Sequence, residues 1–199
     1  SRADVSYETL NSLHSAGLRL VCVGFESGDQ EVLDNIKKNI TVGQFYQFRD
    51  AARQADVMVH GCCMAGNRGE TRDTLQKTLD LAKKLNPDTA QFFPIMVYPG
   101  TEAYDWARNS GLMLTEDFSQ WLTEDGLHRT IVSQPGLSAA EIVEWCDQAR
   151  RSYYLRPRFI WDKLVQIVRH PRETRRLFKA FKTFFKYLFR PSQKEPDRG

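Results

Sequence analysis

The sequence predicts an α/β protein with a parallel sheet, followed by an α-helical extension. Three apolar runs, rich in β-branched and aromatic residues, are centred near residues 22, 60 and 93. They lie about 35 residues apart, which is the length of a βα repeat. Helical patterns separate these runs, and each run ends in a turn that contains glycine. A chain of 199 residues is long enough for one compact domain and an extension.

The three apolar runs are predicted as strands over residues 19–25, 57–65 and 89–97. Pro94 lies inside the third run and removes a backbone donor, which favours an edge strand or a bulge. Three parallel strands do not close a barrel, and an all-parallel sheet needs both faces covered. The pattern therefore indicates a sheet whose further strands lie outside this chain.

Helix-start signals follow the predicted strands. Thr41 and Ser138 each begin a capping box, in which a Gln or Glu three residues later bonds back to the first residue. Asp29 and Thr101 are single N-cap candidates. The longest helical pattern covers about 71–85 and keeps its leucines on one face. These signals predict helices between and after the strands.

Changes of pattern divide the chain into four parts. Residues 1–110 hold the βα units, and residues 111–156 are irregular and then helical. Residues 157–190 form a basic helical tail, and we expect residues 191–199 to be disordered because they are polar. The chain shows no signal peptide and no run of about 18 apolar residues, so we expect a cytoplasmic protein.

Charge is distributed unevenly along the chain. Residues 150–199 hold 15 Lys and Arg against 4 Asp and Glu, whereas residues 1–149 hold 13 against 21. A basic tail on an acidic body indicates a partner for the tail, such as a membrane surface or a nucleic acid.

The tail contains a basic amphipathic pattern over Arg172–Phe189. Its apolar side chains fall on one helical face and its cations on the other. Basic amphipathic helices bind anionic bilayers or partner grooves, and the alternative is an ordinary helix packed on its own domain. Nucleic acid is disfavoured because the aromatic residues oppose the cations and do not interleave with them. On the first interpretation, we expect the tail to bind the anionic inner face of the membrane.

The cysteines predict no metal site. Cys22, Cys62, Cys63 and Cys146 form no C-x-x-C or C-x-x-x-C pair, the spacings typical of zinc and iron–sulfur ligands. The first three lie in strand-like runs, where buried free thiols are common. His60 lies in a strand without a visible partner ligand, so we expect a core or pocket histidine.

The loop after the first strand, Gly24-Phe25-Glu26-Ser27-Gly28, places a carboxylate and a hydroxyl at the carboxyl end of that strand. In parallel α/β folds, ligands bind at this end of the strands. A carboxylate there suits a ribose diol or an ammonium group. The alternative is that Ser27 and Asp29 only cap the next helix, and the residues alone leave both interpretations open.

Two further loops follow the second and third strands. Gly66-Asn67-Arg68-Gly69-Glu70-Thr71 turns into a helix N-terminus, where backbone N–H groups suit anionic or polar ligand atoms. A purely structural turn, with Glu70 favourable at the helix dipole, is the alternative. Tyr98-Pro99-Gly100-Thr101 is typical of a structural turn.

Taken in order, these loops resemble the radical S-adenosylmethionine (radical SAM) superfamily, in particular its cobalamin-binding branch. That branch includes the anaerobic magnesium-protoporphyrin ester cyclase type and the hopanoid-associated type. The resemblance covers roughly residues 10–110 closely. The segments that carry it are Gly24–Gly28 with Ile36-Lys37-Lys38, Gly66–Thr71, Asn86-Pro87-Asp88, and Tyr98–Thr101 with Tyr104.

The resemblance implies a partial (βα)6 barrel of the TIM type, in which the three predicted strands are the fourth, fifth and sixth. In that family a 4Fe-4S cluster, held on a CxxxCxxC loop after the first strand, cleaves S-adenosylmethionine to a radical. That motif is absent here, so the resemblance places the cluster ligands outside this chain. A cobalamin site would belong to a preceding domain.

The resemblance also implies a binding site for S-adenosylmethionine. Glu26 and Ser27 would lie near its ribose and methionine parts. Cys63, Met64 and Ile95 would line the adenine, largely through backbone and apolar contacts. None of these residues is implied to be catalytic or to bind a metal.

One departure from the family pattern concerns the second loop, where Arg68 replaces the usual proline and its fixed φ. The resemblance leaves the substrate open, and we expect a small molecule or a lipid-like molecule. The resemblance thus implies that the chain is part of a radical SAM enzyme. Two alternatives remain at this stage: a non-catalytic binding module with a partial or degenerate form of this fold, and an unrelated α/β domain that its basic tail docks on membranes.

Overall fold

In a computed structural model of the chain, residues 1–122 and 129–169 are described, except for the side chains of 166–169. Three strands, β1 (Leu20–Glu26), β2 (Met58–Ala65) and β3 (Thr89–Pro94), form one parallel sheet in that order. The helices are α1 (Tyr7–Ser15), α2 (Gln30–Asn35), α3 (Val42–Gln54), α4 (Arg72–Leu85), α5 (Glu102–Asn109), α6 (Ala139–Tyr154) and α7 (Pro157–Arg169). A 3-10 turn covers Phe118–Gln120.

The four sequence signals for helix starts are confirmed. Asp29 accepts the N–H of Val32 at the start of α2, and Thr101 caps α5. Thr41 and Ser138 form complete capping boxes at α3 and α6. Local hydrogen bonds of this kind depend only on residues three positions apart, which is why the sequence alone predicts them.

Side chains of the sheet alternate between two faces. The packed face lies beneath α1–α4 and α6 and forms the main apolar core. Its strand residues are Val21, Val23, Phe25, Val59, Gly61, Cys63, Ala65, Ala90 and Phe92. The residues between them form a second face, which we call the open face: Leu20, Cys22, Gly24, Glu26, Met58, His60, Cys62, Met64, Thr89, Gln91 and Phe93.

The open face remains in contact with solvent. Leu20, Cys22, Thr89 and Gln91 are exposed, and the other side chains of this face are half-buried. Parallel sheets normally have both faces covered. The described part of the chain therefore covers one of the two faces that such a sheet normally buries.

The register between β1 and β2 changes at the carboxyl end of β1. Gly24 lies opposite Cys62, but Glu26 lies opposite Cys63, so the strand bulges between these positions. A bulge redirects the side chain next to it. Glu26 is thereby brought onto the open face one residue after the buried Phe25.

β3 has a neighbouring strand on one side only within the described sheet, as Pro94 predicted. The Tyr154 hydroxyl of α6 covers the other edge, because it accepts from Ala90 N at 2.9 Å and donates to Ala90 O at 2.8 Å. A capped edge does not offer free backbone groups to another strand at this point. β3 ends at Pro94, earlier than the predicted residue 97, because its partner β2 ends at Ala65, which lies opposite Pro94. The chain then enters a second apolar cluster around Ile95 and Val97.

No helix among residues 1–122 and 129–169 is long and apolar enough to cross a membrane. The predicted amphipathic segment Arg172–Phe189 and the predicted disordered end 191–199 lie outside the described residues. Both therefore stay predictions.

The loop after β1 packs directly on the backbone of α4. A Cβ added to Gly28 would lie 2.4 Å from the carbonyl oxygen of Lys77, which is far inside van der Waals contact. Gly43 in α3 differs, since its added Cβ would meet only Thr41 Oγ1 at 3.8 Å. Position 28 therefore has no room for a side chain, whereas position 43 does.

We predict that Gly28→Ala lowers the free energy of unfolding by about 1–3 kcal/mol, because the loop or α4 must shift to admit the methyl group. Gly43→Ala is the matched control, and it should be neutral or stabilising by about 1 kcal/mol because alanine favours a helix. Urea unfolding of both variants provides the measurement. Equal stability of Gly28→Ala and the unmodified protein would contradict this packing.

Candidate functional site

Glu26 lies at the carboxyl end of β1 in a strained turn. Its φ is 61°, and the N–H of Ser27 donates to the carbonyl of Phe25 at 2.8 Å, which closes a three-residue turn around Glu26. A glutamate in this left-handed region is unfavourable, and such strain is often found at functional sites. The turn holds the Glu26 carboxylate on the open face.

An ion pair and a glycine position the Glu26 carboxylate. Lys38 Nζ lies 3.0 Å from Glu26 Oε1, and both side chains are about four-fifths buried. A Cβ at Gly24 would lie only 2.1 Å from the same oxygen. The carboxylate therefore bends back over Gly24, and a larger residue at position 24 would displace it.

Ser27 has a structural role, which was one of the two interpretations that the sequence allowed. Its side chain is fully buried, and its hydroxyl lies 3.2 Å from Thr78 Oγ1 of α4 and accepts from Asp29 N at 3.2 Å. Gly28 N also donates to Thr78 Oγ1, at 2.8 Å. These bonds attach the loop to α4, so the Ser27 hydroxyl does not face the open side of the sheet.

The helix that follows this loop is fixed by a second ion pair. Lys77 Nζ lies 2.6 Å from Asp29 Oδ2. The hydrogen bond from Lys77 lowers the pKa of Asp29 from its ordinary value. Asp29 therefore caps α2 as a carboxylate and anchors it to α4.

The loop after β2 closes on itself. Glu70 Oε2 accepts the backbone N–H groups of Gly66 at 2.6 Å and Asn67 at 2.9 Å. Gln134 donates to the carbonyls of the same two residues at 2.8 and 3.1 Å. These two N–H groups are therefore satisfied internally, which favours the structural interpretation of this loop. The Arg68 side chain is exposed at its tip.

The three residues expected around the adenine lie in different surroundings. Met64 is half-buried on the open face, close to the second apolar cluster. Cys63 points the other way, into the main core, where it is 1% exposed and burial raises the pKa of its thiol. Ile95 is buried in the second cluster. Cys63 and Ile95 can therefore contribute only their backbone to an adenine site on the open face, whereas Met64 can contribute its side chain.

Cys22, His60 and Cys62 lie close together on the open face. The sequence did not predict this cluster. We expected the thiols of Cys22 and Cys62 in the core, but Cys22 is exposed and Cys62 is half-buried. Their sulfur atoms lie 3.5 Å apart, and His60 Nδ1 is 2.7 Å from Thr89 Oγ1. Burial, followed by the neighbouring Cys22, raises the pKa of Cys62 to about 12. The period-two alternation of neighbouring strands was the signal that these positions share a face.

Glu70 is a buried carboxyl whose environment makes the stability of the fold depend on pH. Burial raises its pKa to about 7, although the N–H groups of Gly66 and Asn67 favour the charged form. Glu70 Oε1 and Asn67 Oδ1 are buried acceptors without a hydrogen-bond partner among the described residues. A proton on Glu70 supplies a donor within this loop, which is consistent with the raised pKa.

We predict that Glu70 lowers the stability of the fold as pH rises from about 4.5 to about 7, because the folded state then holds a proton that the unfolded state has released. The change should be on the order of 3 kcal/mol over that window. Urea unfolding at about pH 5 and about pH 8 measures it. Glu70→Gln should lose this component, while Glu144→Gln on the exposed side of α6 should keep it. Identical pH profiles for the Glu70→Gln variant and the unmodified protein would refute the assignment.

Comparison with known proteins gives relatives that are much longer than this chain. No family model matches the sequence. The chain is 29% identical over 149 residues to an uncharacterized methyltransferase of Pyrococcus horikoshii, which covers 75% of this chain and 32% of the relative. It is 31% identical over 94 residues to a tRNA-2-methylthio-N(6)-dimethylallyladenosine synthase of Francisella tularensis, covering 46% and 21%. The chain thus spans at most about a third of these curated relatives.

Solved structures share the fold. The radical S-adenosylmethionine methyltransferase TsrM of Kitasatospora setae, with cobalamin and a [4Fe-4S] cluster bound, matches with a TM-score of 0.58 and 18% identity, over 74% of this chain and 35% of that one. Coproporphyrinogen III oxidase (HemN) of Escherichia coli, a radical SAM enzyme, matches with a TM-score of 0.54 and 13% identity, over 77% and 30%. The α/β fold with its parallel sheet is therefore the fold of part of these radical SAM enzymes.

Proposed function

We propose that this chain is the carboxyl-terminal part of the barrel of a radical SAM enzyme and binds S-adenosylmethionine at the carboxyl ends of β1, β2 and β3. The observation that carries the proposal is Glu26, a carboxylate held on the open face by a strained turn, an ion pair with Lys38 and the space above Gly24. The shared fold of TsrM and HemN and the order of the three loops support it.

In this proposal the Glu26 carboxylate accepts hydrogen bonds from the ribose hydroxyls. Lys38 neutralises and orients the carboxylate, so that binding requires little rearrangement of the side chain. Met64 contacts the adenine ring through its polarizable thioether, and the backbone near Cys63 and Ile95 completes this part of the site. Ser27 has a positioning role only, since its buried hydroxyl fixes the loop to α4.

The described residues at the carboxyl ends of the strands fit S-adenosylmethionine but do not include the three-cysteine ligand set of a 4Fe-4S cluster. The open face offers a carboxylate, a thioether and half-buried apolar surface, which suit a nucleoside. The sequence has no CxxxCxxC motif, so the cluster that would cleave S-adenosylmethionine to a radical takes its ligands from outside this chain. The same holds for cobalamin, which in our proposal belongs to another part of a longer protein.

The reaction proposed is a radical reaction of S-adenosylmethionine on a small-molecule or lipid-like substrate. The relatives carry names of methyl- and methylthio-transferases, which makes transfer of a one-carbon or methylthio group the first reaction to test. The anionic membrane surface predicted for Arg172–Phe189 would bring the enzyme close to a lipid-like substrate. The protein would then act in the cytoplasm, at the inner face of the membrane.

We predict that S-adenosylmethionine shifts the methyl resonance of Met64 and leaves that of Met58 unchanged. Both methionines lie on the open face of β2, but at opposite ends of the strand, so each serves as the control for the other. Titration of methionine-methyl-labelled chain, followed by NMR, is the measurement. A shift at Met58 alone, or no shift at either residue, would contradict a site at the carboxyl ends of the strands.

We predict that Glu26→Gln weakens the binding of S-adenosylmethionine about 10- to 150-fold, which corresponds to the loss of about 1.5–3 kcal/mol for a hydrogen bond to a charged group. Glu144→Gln is the matched control, because Glu144 is exposed on α6 and bonds only to Gln148 in the hydrogen bonds described for it. Isothermal titration calorimetry gives the affinities. Unchanged affinity combined with a lower melting temperature would assign Glu26 a structural role.

A further inference from the structure

We propose that Cys22, His60 and Cys62 form a zinc-binding site on the open face of the sheet. Each of these residues offers one ligand atom, and the three ligand atoms lie within 4.8 Å of one another. Two thiolates and an imidazole with an open fourth position match the ligand set of catalytic zinc sites. This inference concerns the middle of the strands and does not depend on the proposed binding of S-adenosylmethionine.

The spacing of the sulfur atoms is close to that of a zinc site. Two thiolates bound at about 2.3 Å with a tetrahedral angle between them lie about 3.8 Å apart. Cys22 Sγ and Cys62 Sγ are 3.5 Å apart, so the separation of the two sulfur atoms differs from this value by a few tenths of an ångström. The distance is far longer than the roughly 2.05 Å of a disulfide bond, and both cysteines are free.

The sheet brings these ligands together in a rigid frame. Cys22 lies opposite His60 in the β1–β2 register, and Gly24 lies opposite Cys62. The ligands therefore occupy neighbouring positions on two hydrogen-bonded strands, and the adjacent residues Val21, Val23, Val59 and Cys63 are anchored in the core on the packed face. A site on strands loses little conformational entropy when the metal binds, because its backbone is already ordered.

Thr89 orients the histidine. Its Oγ1 lies 2.7 Å from His60 Nδ1, and the two residues are partners in the β2–β3 register. When Nδ1 donates its proton to Thr89, Nε2 carries the lone pair that a metal requires. Histidine ligands commonly use their other ring nitrogen in this way, and the partner contributes to the affinity for the metal.

The chemistry of the donors favours zinc. Thiolate and imidazole ligands suit Zn²⁺, whereas Mg²⁺ and Ca²⁺ require oxygen ligands. The exposure of Cys22 leaves the fourth position open to water or to a small ligand.

The test is zinc binding to the full, reduced and metal-free chain, measured by competition with a chromogenic chelator. We expect one zinc ion per chain, and with cobalt as a probe we expect a thiolate-to-metal charge-transfer band. Cys22→Ser and Cys62→Ser should each weaken zinc binding at least about 100-fold and remove or diminish that band. Cys146→Ser is the matched control, because Cys146 is buried in the main core and should leave both readouts unchanged.

Thr89 provides a second, milder test of the same site. Thr89→Ala should weaken zinc binding about 10- to 100-fold, and Thr89→Ser should restore most of the affinity because it retains the hydroxyl. Circular dichroism checks that each variant is folded. Failure of the reduced protein to bind zinc would overturn the proposal, as would stoichiometric zinc that persists in the Cys22→Ser/Cys62→Ser double variant.

Discussion

The packing of one face of the sheet against α1–α4 and α6 determines where the polar groups of this protein lie. Because strand side chains alternate, every residue that is buried against the helices directs its neighbour to the open face. Adjacent residues of β2 show the effect most clearly, since Cys62 is half-buried on the open face and Cys63 is in the core. The open face therefore collects His60, two thiols and Met64 through this alternation alone, and Glu26 joins them at the carboxyl end of β1, where the bulge and the left-handed turn hold it.

Two of the loops at the carboxyl ends of the strands are locked by their own hydrogen bonds. Ser27 and Gly28 are attached to Thr78 of α4, and Glu70 satisfies the first N–H groups of the loop after β2. Glu26 is the exception, because the bulge and the left-handed turn direct it away from these structural bonds. Rigid surroundings of this kind hold a carboxylate in a fixed position, which is what recognition of a ligand requires.

The elements that the sequence predicts well are those that depend on local signals. The caps at Asp29, Thr41 and Ser138 and the three strands follow from residues a few positions apart. The site was less predictable, since the burial of Ser27 depends on Thr78, which is 51 positions further along the chain. The exposure of Cys22 likewise depends on which face of the sheet the helices cover. The sequence of β1 alternates valines with small residues, and this pattern does not reveal which set of side chains the helices cover.

Native-state modification of the cysteines tests most directly whether the sheet has one packed and one open face. Under reducing, metal-free conditions a small neutral thiol reagent should modify Cys22 rapidly and Cys62 more slowly, because burial and the neighbouring thiol raise the pKa of Cys62 to about 12. Cys63 and Cys146 should react only after unfolding, since both are buried in the core. Mass spectrometry of the peptides assigns each site. Modification of Cys63 in the folded protein as fast as Cys22 would contradict the account.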